Sequence, residues 1–424
     1  MWKFARLRDG DDGTPFSGHA SPAPAHSSSE AGQPKVLILT AVRWWSVMRL
    51  ALELSEVGFT VEAACPRGSQ LEKMPFVKAS YRYHPIAPVA LLRKTIRRSA
   101  PMLLVPCDDY VRRQLHELYN TTQSDKADGS WLKALIARSL GQPEHFALLY
   151  SRYDVGSLAR ELDIPAPPTA AIGDRSVLMT QIATLGLPAV LKSDWSWAGG
   201  GVFIAYSNQE ALRAFHRLSA SHGILRTLKR LAVNRDPTLV VPCLRRHRPV
   251  VSIQRFVPGR PANAAVACWQ GRVLACVLVE VLASKGPKGP ATVVQVISHP
   301  GMSRAVEVMV ERLKLSGLCG FDFVLSAEDD TAQLVEINPR ATQTCYLIAA
   351  DGKDLLAALY GALQASQPTP RGPPRREPLA LDPMEVAQPS GDRFVEGAIY
   401  DIPWNSPELA ALKPTSRAAR VDPS

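Results

Sequence analysis

The stretch GFDFVLSAEDDTAQLVEINPR, residues Gly320 to Arg340, decides how this chain is read. Two apolar segments, GFDFVL and QLVEIN, flank the polar loop SAEDDTA, the pattern of two antiparallel strands joined by a turn. Side chains alternate faces along a strand, so Glu336, Asn338 and Arg340 share one face while Val335 and Ile337 turn to the other. A solvent-facing edge would explain that row by itself. The neighbouring strand adds a constraint: if Leu325 pairs with Gln333, Asp322 falls directly opposite Glu336. Like charges facing each other on a sheet are destabilising unless something neutralises them, and a divalent cation would. Magnesium is usually held by one or two carboxylates together with substrate phosphates. Asp322, Glu336 and the amide oxygen of Asn338 are therefore candidate metal ligands, with Arg340 placed to meet further negative charge. A register shifted by one residue would send Asp322 to the opposite face, so the pairing is the critical expectation.

Upstream, LPAVLKSDWSWAGGGVFIAYSNQEALRAF reads as strand, glycine-ending loop, strand, and a helix that Asn208 is placed to cap. The loop joins two strands and so is not a Walker A loop, which leads into a helix. Gly199, Gly200 and Gly201 let backbone N–H groups approach anionic oxygens, and Lys192 adds a point charge just before them; a tight turn is the plainer reading of the glycines alone. In VVSIQRFVPGRPANAAVACWQGRVLACVLVEVL, strands separated by PG and QG turns suggest an antiparallel sheet. Where IQRFVPG ends its strand, Phe256 and Val257 could frame a flat heterocycle. The loop ASKGPKGPATV is basic and looks suited either to solvent or to closing over an anion.

Towards the N-terminus, KVLILTA, FTVEAAC and MLLVPCDD read as buried strands alternating with helical SVMRLALELSEVG and VRRQLHELY, the pattern of an open parallel sheet. No GxGxxG follows the opening strand, so no dinucleotide is assigned. Asp108 and Asp109 sit just past a strand's carboxyl end, where open α/β sheets bind ligands; a turn or helix cap explains the pair equally well.

The 424 residues, 46% hydrophobic and 21% charged, suit a soluble globular protein of two or three domains. No apolar run approaches the roughly 20 residues that span a bilayer. The first residues lack a secretory apolar core and carry acidic groups unlike a transit peptide, so the expectation is a cytoplasmic protein without membrane association. Seven cysteines, scattered and without zinc spacing, read as reduced core residues. A formal charge of +10 raises nucleic acid as a partner, but no nucleic-acid-binding signature accompanies it. The densest basic group, between Arg226 and Arg248, reads as a solvated helix and loop or as an attractor for an anionic substrate or acyl carrier.

In this order, VLKSDWSWAGGGV, IQRFVPG, GFDF and LVEINPR resemble the motifs of the ATP-grasp superfamily, especially its carbamoyl-phosphate-synthase-like carboxylate–amine ligases. The resemblance covers about residues 35 to 365. It implies an α/β and α+β chain in which an open parallel-sheet domain precedes a two-subdomain ATP-grasp fold with antiparallel sheets. The corresponding organisation is a disordered segment at 1–33, a front α/β domain at 34–120, an ATP-grasp domain at 121–365 and a Pro-rich tail at 366–424. Within that tail, RFVEGAIYDIPW could add a strand to the core.

Carried over residue by residue, the resemblance implies that Lys192 contacts phosphate and that Gly199, Gly200 and Gly201 form the phosphate flap. Gln254, Phe256 and Val257 match the hinge around adenine. Asp322, Glu336 and Asn338 match the magnesium ligands, with manganese a substitute, and Arg340 the arginine that helps hold the reacting carboxylate. Arg152 stands where many members have an ATP-contacting lysine, and Arg255 interrupts the hinge where related ligases often have Glu. The implied chemistry is phosphorylation of a small-molecule carboxylate by ATP, then attack on the acylphosphate by an amine, less often a thiol. Two alternatives stand beside it: bicarbonate phosphorylation, as in carboxylases and carbamoyl-phosphate enzymes, and a non-catalytic nucleotide-binding module. The front domain offers a surface for a homodimer.

Overall fold

The computed structural model describes residues 33–83, 88–124, 127–193, 201–220, 250–285, 289–364, 371–381 and 398–400. The N-terminal segment, Gly199, Gly200, the basic group between Arg226 and Arg248, and most of the C-terminal tail lie outside these residues.

The chain enters through β1 (Lys35–Leu39), α1 (Trp45–Val57), β2 (Thr60–Pro66), β3 (Val77–Tyr83), α2 (Pro88–Ser99), β4 (Leu103–Pro106), α3 (Asp109–Thr121) and α4 (Ala127–Leu140). The four strands form a parallel sheet in the order β3-β2-β1-β4. Both faces of β1 are buried, as its unbroken apolar run requires: Val36 and Ile38 pack with α1, while Leu37 and Leu39 pack with α2, α3 and α4. The order reverses at β1, since β2 and β3 lie on one side and β4 on the other. That reversal makes the carboxyl ends of β1 and β4 the sheet's natural crevice.

After α5 (Arg152–Glu161) comes a second sheet, made of β5 (Thr169–Ile172), β6 (Ala189–Ser193), β7 (Val202–Ala205) and β8 (Val251–Arg255). All its pairs are antiparallel, in the order β5-β8-β6-β7. α6 (Arg175–Leu185) and α7 (Asn208–Ser219) cover one face through Leu178, Ile182 and Phe215. Ser207 caps α7 by accepting from the Glu210 N–H at 3.3 Å, and Asn208, the expected cap, is instead its first helical residue.

The third sheet is built from β9 (Gly259–Trp269), β10 (Arg272–Ser284), β11 (Ala291–Ile297), β12 (Gly317–Ser326) and β13 (Ala332–Asn338), with short β14 (Leu379–Ala380) and β15 (Ile399–Tyr400) at the far edge. Tyr400 belongs to RFVEGAIYDIPW, so part of that segment does add a strand. β9 and β10 are joined by Gln270 and Gly271, both at positive φ, the geometry of a two-residue hairpin. The PG turn is different: it carries the chain from β8 of one sheet to β9 of another.

Along β9, Ala264 and Val266 face α8 (Pro300–Leu313), while Ala265 and Ala267 join the core shared with α1 and α9 (Leu355–Gln364). Burial on both faces by close-packed helices explains why the strand is so rich in alanine. Gly320 on β12 meets a similar limit, since a Cβ there would lie 2.3 Å from the Thr342 methyl. These contacts set the large sheet against the parallel sheet and leave a cleft between them and the small sheet.

Candidate functional site

The cleft is a cavity of about 650 Å³ walled by all three sheets. Its centre is the β12–β13 pair. Near the turn, Leu325 pairs with Ala332 and Phe323 with Leu334, one residue out of the expected register. Continued unchanged, that register would place Val335 opposite Asp322. Instead a bulge at Val335 absorbs one residue, and Asp322 pairs with Glu336, Phe321 with Ile337 and Gly320 with Asn338. The expected opposition of the two carboxylates is present, but the bulge produces it and not the turn. The bulge also turns Val335 to the cleft beside Glu336, whereas Ile337 stays in the core.

Each carboxylate of this wall is engaged. Asp322 accepts from Asn263 Nδ2 at 2.5 Å and from Asn338 Nδ2 at 2.9 Å. Burial and the facing Glu336 raise the Asp322 carboxyl well above the usual carboxylate range. Glu336 Oε1 accepts from Arg152 Nη2 at 2.8 Å, and Nη1 of the same arginine donates to the Ser193 carbonyl at 2.6 Å. Arg152, at the start of α5, thus joins the end of β6 to the β13 carboxylate.

Arg340 donates through Nε to Asp109 Oδ2 at 2.9 Å and through Nη2 to Asn338 Oδ1 at 3.2 Å. The Asn338 oxygen therefore faces Arg340 and its NH₂ faces Asp322. For that oxygen to reach a cation beside Asp322, the amide would have to turn over. Asp109 also accepts from Arg112 Nε at 3.2 Å. Burial pushes the Asp109 carboxyl up, but Arg340 and Arg112 more than offset that and hold it below the usual range. Its neighbour Asp108 does a different job: it caps α3 by accepting from the Val111 N–H at 2.9 Å and ties down the loop after β1 through the Ala41 N–H at 2.6 Å. Of the two sequence readings for this pair, the cap fits Asp108 and the ligand-facing position fits Asp109.

On the small sheet, Lys192 is 5% exposed and its Nζ donates to Gln254 Oε1 at 2.7 Å. Gln254 Nε2 donates in turn to Thr169 Oγ1 at 3.0 Å. Burial, and the nearby Arg152 cation, bring the Lys192 ammonium down to about 8. Gln254 thus holds the lysine, while Phe256 and Val257 line the cleft beyond it. Gly201 closes the strand pair through its carbonyl, which accepts from the Ser193 N–H at 3.0 Å.

The structure therefore brings Lys192, Arg152, Gln254, Phe256, Val257, Asp322, Glu336, Asn338 and Arg340 to one cavity. Sequence reasoning overlooked Asn263, whose signal was a lone amide in the apolar run ANAAVAC. It also left Asp109 unconnected to Arg340, 231 residues away. Asp322 and Glu336 suit a magnesium ion. Among the described residues no group of three His, Cys, Asp or Glu side chains forms a metal cage, so two carboxylates and an amide leave the other positions to phosphate and water.

No curated protein matches the sequence significantly. The fold has counterparts among solved structures. N5-carboxyaminoimidazole synthase from Aspergillus clavatus, in complex with ADP and 5-aminoimidazole ribonucleotide, aligns with a TM-score of 0.55 at 13% identity, over 82% of this chain and 81% of that one. The biotin carboxylase domain of Hydrogenobacter thermophilus 2-oxoglutarate carboxylase, in complex with MgADP and bicarbonate, aligns at 0.54 and 11% identity over 81% and 72%. L-amino acid ligase from Bacillus licheniformis aligns at 0.51 and 13% identity over 79% and 75%. In sequence, residues 242–344 match the family model described as ATP-grasp domain, a span that contains the GFDF and EINPR segments. The sequence match is confined to residues 242–344, and the likeness to the solved structures, at 11–13% identity, is one of fold.

Proposed function

We propose that this chain is an ATP-dependent ligase that activates a small-molecule carboxylate as an acylphosphate for attack by an amine, forming a C–N bond. The observation that carries the reading is Asp322 set opposite Glu336 by the bulge at Val335, in a cleft that also holds Lys192 and Arg340. The fold's counterparts include complexes with ADP and MgADP, which supports ATP and magnesium as the pair used here.

In this scheme Asp322, Glu336 and, once its amide turns over, Asn338 would hold magnesium, which would neutralise charge on the phosphates. Phe256 and Val257 flank the adenine, and Gln254 positions Lys192. Gly201, just before β7, would meet the phosphates; Gly199 and Gly200, expected in the same flap, lie outside the described residues. Lys192 and Arg152 meet the negative charge that develops on the transferred phosphoryl group. Arg340, held in place by Asp109, orients the carboxylate whose oxygen attacks. The buried walls keep water from the acylphosphate until the amine arrives.

The test is incubation with ATP, magnesium, hydroxylamine and a panel of acids. Hydroxamate formed together with ADP is the expected outcome. ADP release that depends on bicarbonate alone would move the chain to the carboxylase-type alternative. Tight ATP binding with no ADP release under any condition would make it a non-catalytic nucleotide module.

A further inference from the structure

α3 carries a polar stripe that the wall of the cleft explains only at its first residue. Asp109, Arg112, Arg113 and His116 stand at i, i+3, i+4 and i+7 along DYVRRQLHE, the spacing that puts side chains on one face of a helix. Arg112 and His116 are each 3% exposed, and polar groups buried to that extent are costly unless partners compensate them. Asp109 lines the cavity; the other three close on one residue, Tyr150. The Tyr150 hydroxyl lies 2.5 Å from His116 Nδ1. Burial, with Arg112 and Arg113 alongside, holds the imidazole far below its usual range, so it stays uncharged and can accept from the phenol. Phe146 completes the seat by stacking on the imidazole at 3.7 Å. The guanidinium carbons of Arg112 and Arg113 lie 4.6 and 5.4 Å from the centre of the Tyr150 ring. Arg112 Nη1 has no hydrogen-bond acceptor among the described residues, and the negative face of that ring is its compensation.

Tyr150 ends a short 3₁₀ turn, and the chain runs from it straight into α5. Ser151 caps that helix by accepting from the Asp154 N–H at 3.1 Å, and Arg152 is its first residue. The seat of one ring therefore fixes where α5 begins, and the start of α5 delivers Arg152 to Glu336 and to the Ser193 carbonyl. Arg112 stands at a fork: its Nε holds Asp109, which holds Arg340, and its guanidinium faces Tyr150, which leads to Arg152. Resting on the ligase reading, in which Arg152 meets the transferred phosphoryl group, we infer that Tyr150 is a positioning residue: seated on His116 and Arg112, it sets the reach of Arg152 across the cleft. Tyr150 does not itself line the cavity, so it acts through the arginine and not on the nucleotide.

Calorimetric titration of the full chain with magnesium and either a non-hydrolysable ATP analogue or ADP tests this without turnover. Arg152→Gln should weaken the triphosphate analogue about tenfold and ADP by no more than about twofold, because it removes a charged contact to the terminal phosphate. Tyr150→Leu, which removes ring and hydroxyl, should reproduce that selective loss. Tyr150→Phe keeps the ring under the arginines and should lose about threefold in the same direction. In Tyr150→Leu combined with Arg152→Gln, the triphosphate loss should stay within about twofold of Arg152→Gln alone, since one residue acts through the other. A tyrosine that only supports the fold would lower the melting temperature and leave both affinities of the folded protein unchanged, or weaken the two nucleotides equally. Either result, or a double variant in which the two losses multiply, would overturn the inference. If the leucine variant does not fold, Tyr150→Phe decides: an unchanged ratio of the two affinities overturns it. Hydroxamate formation separates the two levels. Its absence with every acid, beside a selective loss in the Tyr150 variants, breaks the ligase reading alone. An activated acid, beside Tyr150 variants that bind both nucleotides as the wild type does, breaks this inference alone.

Discussion

Two clusters of buried charge in this protein are made of the same residue types and behave in opposite ways. One joins α1 to the start of α9: Arg371 donates to Asp354 through Nε at 2.6 Å and through Nη2 at 2.8 Å, and it pairs with Glu53, which Arg49 also holds. Its carboxylates are 1% and 7% exposed, and each faces an arginine. The other is the wall of the cleft, where Asp322 faces Glu336 and takes its hydrogen bonds from two amides. Burying charge is tolerated when opposite charges meet inside the fold and stays costly when like charges meet. A cluster closed on itself holds structure together; under the proposed function the wall of the cleft is the one that magnesium and phosphate would complete.

The sharpest way to break the comparison is Arg371→Ala. It strands Glu53 and Asp354 without their shared cation and should cost about 3–5 kcal/mol in chemical denaturation, with the nucleotide affinity of the folded fraction unchanged. A loss within about 0.5 kcal/mol would show that this cluster is not structural. Next in size is Glu336→Gln, which removes the facing charge. Turnover should fall on the order of a hundredfold to a thousandfold while denaturation shows no loss of stability. Full activity in that variant would remove Glu336 from the site.

A pH titration of ATP affinity sharpens the contrast further. With Lys192 near 8, raising the pH through that value removes its proton and the charge that meets phosphate, so affinity should weaken between about pH 7 and 9. Lys192→Arg, which keeps its charge, should flatten that limb; an unaltered profile would assign the titration to another group. A smaller effect is expected from Arg152→Gln. Without its arginine, Glu336 should accept magnesium before nucleotide is present, and the metal alone should raise the melting temperature by about 2–4 °C more than in the wild type. As the baseline, Arg97→Ala breaks an exposed pair with Asp128 and should change stability by less than about 1 kcal/mol.

Much of the architecture was legible in the residues, because periodicity and turn chemistry are local. The apolar run of β1, the QG hairpin and the antiparallel pair of β6 and β7 all follow from what neighbouring side chains permit. Motif order then pointed to the fold. The register of β12 and β13 was legible only in part. Leu325 was expected opposite Gln333 and meets Ala332, and the bulge at Val335 restores the alignment of Asp322 with Glu336. A bulge answers to packing on both faces of a sheet, which a single strand's alternation does not record.

The sequence by itself determined which groups the proposed chemistry would use: two carboxylates and an asparagine on paired strands, a lysine before a glycine loop, and an arginine after EINP. Tertiary structure alone decided their partners. It set Asp109 against Arg340, Arg152 against Glu336 and Gln254 against Lys192, and it seated Tyr150 against His116. Those pairings span up to 231 residues and depend on how three sheets close around one cavity. Pairing at such separations is set by burial and charge compensation in the finished fold, to which no local pattern in the chain is tied.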